Sequence, residues 1–213
     1  MNVILYGATG NIGSRILNEL TTLFHDVTAV ARHPEKLPAG TKKRCDDLSD
    51  TDRIAQIIHG ADAVVSAYAP PPDDTDQIVG VTERQIEAIH KNGNGTRLIV
   101  VGGVAQSEVA PGVTALEAGL AAGVIPQEWV APAESHGMVL NLLKQCDINW
   151  TYFAGAPLFE PGQRNGKFRL GIDQLITDEN GNWSRISFED YAMALVDELE
   201  HPVHERGRLT IGY

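Results

Sequence analysis

The sequence predicts an α/β protein, a doubly wound parallel sheet layered α/β/α, and three observations carry that expectation. Short apolar runs alternate with stretches of helical period along the whole chain. The runs are continuous rather than alternating, as parallel strands covered on both faces require. The first run, Val3-Ile4-Leu5-Tyr6, ends in a glycine loop, Gly7-Ala8-Thr9-Gly10-Asn11-Ile12-Gly13, that opens straight into a helix.

In that first helix Ile12, Ile16, Leu17, Leu20 and Phe24 recur at helical spacing and read as one buried face. Val27 to Ala31 predicts a second strand and Thr41 to Cys45 a third. A short helix follows with Ile54, Ile57 and Ile58 inward, then a fourth strand over Ala63 to Ser66. The break Pro70-Pro71-Pro72 precedes a helix bearing Ile78, Ile86 and Ile89. A fifth strand, Leu98 to Val101, stops at Gly102-Gly103. The stretch from Val104 to Glu128, rich in Gly, Ala and Pro, reads as irregular, the pattern of a functional lid. A helix over 130–145 leads to a sixth strand at Trp150 to Phe153 and a turn-rich loop at 161–167. Ser187 reads as the cap of a helix running to about Leu199, and Arg208 to Ile211 as a last strand. No repeat or linker divides the chain, so one domain over residues 1–213 is expected, with right-handed crossovers and a small C-terminal portion on the substrate side.

Composition narrows the function classes. A formal charge of -11 over 213 residues disfavours nucleic acid and anionic membranes as partners, because their phosphates would be repelled. Two cysteines, Cys45 and Cys146, are too few for a disulfide framework and lack metal-ligand spacing, so no metal is expected. No basic leader or membrane-length apolar run stands in the sequence, and a cytoplasmic protein is expected.

The glycine loop points to a dinucleotide. Gly7 permits the sharp turn, Gly10 the approach of a pyrophosphate, and Gly13 close packing of helix on strand; the helix N-terminus adds free N–H groups and about half a positive charge. The spacing is Gly-x-x-Gly-x-x-Gly rather than Gly-x-Gly-x-x-Gly. Arg32, not an acid, closes the second strand, and a guanidinium there can grip a 2′-phosphate, so NADP(H) is expected over NAD(H). A solvated surface arginine is the alternative. Asp47-Leu48 would flank the adenine, Asp47 accepting from its amino group or else capping a helix. Ser66-Ala67-Tyr68 lies on the path of the riboses, where Tyr68 stacks on a ligand or covers the crevice. Gly102 and Gly103 admit the nicotinamide or merely start a loop.

One motif is missing. Reductases and epimerases of the short-chain type hold a Tyr-x-x-x-Lys pair, yet residues four after Tyr6, Tyr68, Tyr152 and Tyr191 are Gly10, Pro72, Ala156 and Leu195, and Tyr213 is terminal. On the helix where the pair would lie, Glu134, Ser135 and His136 are the polar candidates. His136 is the catalytic candidate, as proton donor or substrate orienter, against a structural role.

These residues resemble a known family. Gly7 to Gly13, Ala31-Arg32-His33-Pro34-Glu35-Lys36, Asp47-Leu48-Ser49-Asp50 and Ser66-Ala67 resemble the atypical short-chain dehydrogenase/reductases. Val101-Gly102-Gly103, Trp150-Thr151, the run Pro161 to Gly166, the run Ile186 to Ala192 and the terminal Leu209 to Tyr213 sharpen this to the NADH-flavin reductase group. Its relatives include flavin and biliverdin-IX-beta reductases, and nitrogen-repression regulators that bind the cofactor without turning it over. The resemblance implies a Rossmann fold, a nicotinamide cofactor and a small-molecule acceptor, with flavin as a candidate substrate. It also suits the missing tyrosine, because hydride transfer to flavin needs proximity and stacking more than a side-chain acid. Gly102, Gly103 and Phe153 would shape the acceptor site. Two departures stand out: Arg32 conflicts with the NADH of the group's label, and Val104-Ala105-Gln106 replaces the usual glycine-alanine after the fifth strand. A reductase passing hydride to a flat diffusible acceptor, a free flavin or quinone, is the leading expectation. A non-catalytic NADP(H)-binding redox sensor is the alternative, and a sugar-nucleotide epimerase a poor third.

Overall fold

A computed structural model describes residues 1–93 and 95–213. The first half is a run of strand–helix units: β1 (Asn2–Tyr6), α1 (Asn11–Thr22), β2 (Asp26–Ala31), β3 (Lys43–Cys45), α2 (Thr51–Ile58), β4 (Ala63–Ser66), α3 (Gln77–Lys91) and β5 (Arg97–Gly102). The second half adds a small hairpin, β6 (Glu108–Ala110) and β7 (Val113–Thr114), then α4 (Ala115–Ala122), α5 (Gln127–Gln145) and β8 (Trp150–Ala154). Short strands β9 (Leu158–Glu160), β10 (Arg169–Gly171) and β11 (Arg185–Ser187) precede α6 (Phe188–Glu200) and β12 (Gly207–Gly212).

Among the described residues eight strands form the central sheet in the order β10-β12-β8-β5-β4-β1-β2-β3, parallel throughout except for β10 against β12. The chain steps outward from β1 through β2 to β3, then returns to β4 on the other side. The strand order therefore reverses beside β1, which opens a crevice at the carboxyl ends of β1 and β4. This is the Rossmann arrangement, and the doubly wound α/β expectation holds.

Side chains alternate between two cores because successive strand residues point to opposite faces. Val3 and Leu5 of β1, Ile99 of β5 and Phe153 of β8 pack with Ile16, Leu20, Tyr191 and Leu195 of α1 and α6. Ile4 and Tyr6, Leu98 and Val100, and Trp150 and Tyr152 pack on the other face with residues of α2, α3 and α5. Both faces are covered, which explains the unbroken apolar runs. No described helix is long and apolar enough to cross a membrane.

Three expectations change. Phe24 is not on the buried helix face: α1 ends at Thr22, and Phe24 lies beyond it with φ of 60° and a side chain 96% exposed. Residues 104–128 are not irregular throughout, since they hold the hairpin and α4, whose start carries a reciprocal capping box between Thr114 and Glu117. Phe153 is fully buried and stacked on Tyr191, with ring centroids 4.5 Å apart, so it faces the core rather than an acceptor.

The motifs after β8 come together as a lock. The buried Asp190 carboxylate accepts the N–H groups of Asn165 (2.8 Å) and Gly166 (2.9 Å) and the hydroxyl of Tyr213 (2.8 Å). Ser187 caps α6 by accepting from the Asp190 N–H at 3.0 Å, and its own hydroxyl donates to the Gln163 carbonyl at 2.9 Å. The 161–167 loop is thus pinned to the first turn of α6.

Candidate cofactor and acceptor sites

At the crevice the glycine loop is built as its spacing requires. Gly7 has φ of 76°, and a Cβ there would overlap the carbonyl of Ala67. A Cβ at Gly13 would overlap the carbonyl oxygen of Gly7, so α1 lies directly on the loop. Gly10 differs: its φ is -77°, and a Cβ would meet only the Gly7 oxygen, at 3.2 Å. The first turn of α1 has no side-chain cap and no acidic residue. Its backbone N–H groups therefore stay free for an anion, with the positive end of the helix behind them. This cradle fits a dinucleotide pyrophosphate.

A cleft of about 240 Å³ continues from this loop along the carboxyl ends of β1, β2 and β4. Gly7, Thr9, Gly10, Arg32, Asp47, Leu48, Ala67 and Tyr68 all line it. Asn11 and Ile12 begin α1; Asn11 is exposed, and Ile12 packs partly against the core. Ser66 is buried at the end of β4, behind the cleft wall. Arg32 follows the last residue of β2, is exposed, and has no ion-pair partner among the described residues. Lys36, which the sequence reading missed, lines the same cleft on the turn after His33-Pro34.

Asp47 is not the cap of α2; Asp50 is, accepting from the N–H groups of Asp52 (2.8 Å) and Arg53 (3.2 Å). The Asp47 carboxylate instead accepts from the hydroxyl of Ser49 at 2.6 Å and from its N–H at 3.1 Å, which holds it below the usual carboxylate range. It stays ionised, an acceptor for an amino group. Leu48 takes φ of 65°, rare for a branched apolar residue. Its N–H bonds the Asp46 carboxylate (3.2 Å) and its carbonyl accepts from Arg84 (2.6 Å), two anchors that keep the strained turn in place. The Tyr68 hydroxyl donates to Gln77 at 3.0 Å, which ties the crevice wall to α3.

Gly102 and Gly103, at the end of β5, lie against two rings of the protein itself. A Cβ at Gly102 would overlap the ring of Tyr152, and one at Gly103 would stand 3.0 Å from the ring of His136. The two glycines make room for the protein's own rings. The Gly103 N–H is shared between the Tyr152 hydroxyl (2.7 Å) and His136 Nδ1 (3.2 Å), and the Tyr152 hydroxyl donates back to the Gly103 carbonyl at 3.2 Å.

Because Nδ1 accepts, the His136 proton sits on Nε2 and the ring is neutral. Burial pushes its pKa down to about 4 from 6.5. His136 is therefore suited to donate a hydrogen bond and not to act as an imidazolium acid at neutral pH. Its Hε1 NMR resonance is expected to stay flat from roughly pH 8 to pH 5.5, and an inflection near the ordinary value of about 6.5 would refute this. The sign for stability follows: unfolded chains bind this proton below 6.5 and the folded one only near 4, so stability drops as pH falls through that window. Ser135 is structural, its hydroxyl bonding Asp76 (2.7 Å) and Thr75 (3.0 Å) at the start of α3.

Beyond Gly103 lies a second, apolar cavity of about 260 Å³. Val104 and Ala105 form its near wall, Leu116 and Gly119 of α4 its side, and Trp129 and Trp183 its rim. Gln106 secures this wall: its amide donates to the Ala133 carbonyl at 3.0 Å and packs where Gly137 of α5 leaves space. Arg208 of β12, next to Tyr152 in register, donates to the Gln106 carbonyl and to Asp173 at 2.7 Å. Sequence reasoning missed Gln106, Tyr152 and Arg208, because each stands alone in an otherwise apolar or irregular context.

Among the described residues no group of His, Cys, Asp or Glu is placed to hold a metal. Residues 7–202 match a family model described as NAD(P)H-binding. Three solved structures are similar to the chain over its full length. One, provisionally named an exported protein, is from Burkholderia pseudomallei, with 38% identity, a TM-score of 0.88 and all of that chain covered. Another, provisionally named an epimerase, is from Bacteroides thetaiotaomicron, with 39% identity, a TM-score of 0.89 and 96% of that chain covered. SP1627 from Streptococcus pneumoniae TIGR4, provisionally named an NADH-flavin reductase, has 28% identity, a TM-score of 0.83 and 99% of its chain covered. The three names differ, so the shared fold alone does not assign the chemistry. The free cradle at α1 and the match from Gly7 onward agree on one point: this chain belongs to the NAD(P)H-binding family.

Proposed function

We propose that the protein is an NAD(P)H-dependent oxidoreductase that passes hydride to a flat, diffusible acceptor such as a free flavin or a quinone. The observation that carries the reading is the apolar cavity beside Gly103, at the carboxyl ends of β5 and β8, where open α/β sheets bind their ligands. The bound dinucleotide supplies the hydride. The chain's own residues do the rest: the α1 N-terminus and loop hold the phosphates, Arg32 selects NADP(H), and apolar walls exclude water. With no Tyr-x-x-x-Lys pair and a neutral His136, the proton comes from solvent, which a quinone or flavin tolerates and a sugar substrate does not. Gly102 and Gly103 would contribute backbone to the nicotinamide end. We propose a cytoplasmic location, a reading that the two free thiols Cys45 and Cys146 support.

The test is NADPH oxidation by purified protein across flavins and quinones. Turnover above the uncatalysed background is expected; none with any acceptor would overturn the reading. The missing acid favours a second reading, a redox-sensing regulator that binds NADP(H) without turnover. It predicts similar affinity for oxidised and reduced cofactor, or a protein partner whose binding follows their ratio.

A further inference from the structure

We infer that the acceptor is an uncharged planar ring of the quinone class, and that phosphate-bearing flavins are selected against; this rests on the reductase reading above. The residues around the second cavity are Val, Ala, Leu, Ile, Gly, Pro and Trp, with no polar side chain among them. Two stretches supply nearly all of them, residues 104–133 and 172–183. Together these hold Glu108, Glu117, Glu128, Asp173, Asp178 and Glu179, and neither contains a Lys, Arg or His.

Two arginines of β12 and β10 are already hydrogen-bonded. Arg208 is buried against Asp173 and the Gln106 carbonyl, and Arg169 donates to the carbonyls of Thr177 and Tyr213. His136 is neutral. A phosphate entering here meets an apolar lining that holds no cation, on two stretches whose charged residues are all acidic. A neutral ring meets only apolar surface, including Trp129 and Trp183, each about half exposed at the rim. The volume of about 260 Å³ is small for a ligand cavity and suits one or two fused rings.

The step balances as a two-electron reduction. Hydride leaves the reduced cofactor ring, breaking a C–H bond, and forms an O–H bond at one quinone oxygen. The other oxygen takes a proton from solvent, giving a hydroquinone and the oxidised cofactor.

The experiment pairs neutral and anionic forms of one ring: 1,4-naphthoquinone against 1,4-naphthoquinone-2-sulfonate, and lumiflavin against FMN. Each is measured for kcat/KM with NADPH and for quenching of tryptophan fluorescence, at low and high salt. The neutral partner is expected to be favoured by about tenfold or more at low salt, with the gap narrowing as charges are screened. Val109→Lys, at the rim, should raise the ratio of kcat/KM for FMN to that for lumiflavin. Anionic partners used as well as neutral ones, with no salt dependence, would overturn the inference and leave the reductase reading standing. No turnover with either, but quenching that favours the neutral ring, would remove the reductase reading and retain the ligand class. Neither turnover nor quenching would remove both.

Discussion

Gly13→Ala is expected to destabilise the cofactor-free protein by about 1–3 kcal/mol and to weaken cofactor binding more than about a hundredfold. The added methyl would stand inside the carbonyl oxygen of Gly7. That oxygen cannot swing aside, because it accepts the Gly10 N–H at 2.9 Å and so closes the turn. Gly7 cannot retreat either, since its own Cα faces the Ala67 carbonyl. α1 must therefore lift away from β1, carrying with it the N–H groups meant for the pyrophosphate. Losing two charge-assisted hydrogen bonds at ~1.5–3 kcal/mol each accounts for the loss of affinity. Gly10→Ala is the matched control. Its backbone is ordinary and its nearest contact is 3.2 Å, so apo stability should hold within about 1 kcal/mol while affinity still falls. Urea unfolding of the apo proteins and calorimetric titration with cofactor separate the two effects. Equal destabilisation by both substitutions, or native affinity in Gly13→Ala, would contradict this reading of the loop.

The sequence carried the sheet well because burial on two faces leaves an unmistakable mark. Val3 to Tyr6, Ala63 to Ser66 and Leu98 to Val101 have no polar interruption, and all three became central strands. Phe24 was misread because i, i+4 counting from Leu20 has no built-in stop. α1 ends with neither Gly nor Asn after it, and the chain turns there because Asp26 must begin β2. The capping box Thr114-x-x-Glu117 was visible in advance and would have located α4. The three-residue strands β9, β10 and β11 were not visible, since three residues are too few to show a period and they form only by pairing with distant partners, β10 with β12 and β9 with β11. The cofactor half of the site was legible for a related reason: phosphate binding uses backbone, and glycine spacing reports backbone. The apolar cavity depends on which side chains meet across α4, α5 and the loop around Leu175, and no local pattern records that.

Arg32→Glu should lower NADP(H) affinity by about tenfold to 150-fold while NAD(H) affinity holds or rises. The guanidinium is exposed at the end of β2 and has no ion-pair partner among the described residues, so no existing pair must break for a 2′-phosphate to bind. The carboxylates nearby already have partners. Asp46 is held by Arg53 at 3.2 Å and by the Leu48 N–H, and Asp47 by Ser49. A glutamate at position 32 would repel the phosphate and could accept from the ribose hydroxyls of NAD instead. Arg32→Lys keeps the charge and loses the two-pronged geometry, so it should fall between the two, and Lys36 on the same cleft should leave a residual preference. Dissociation constants for both cofactors at two salt concentrations decide the matter. If Arg32→Glu weakens NAD(H) and NADP(H) equally, the arginine shapes the cleft without reading the phosphate. If it weakens neither, Arg32 is a surface residue and the selection between cofactors must lie with Lys36 or elsewhere in the turn that follows β2.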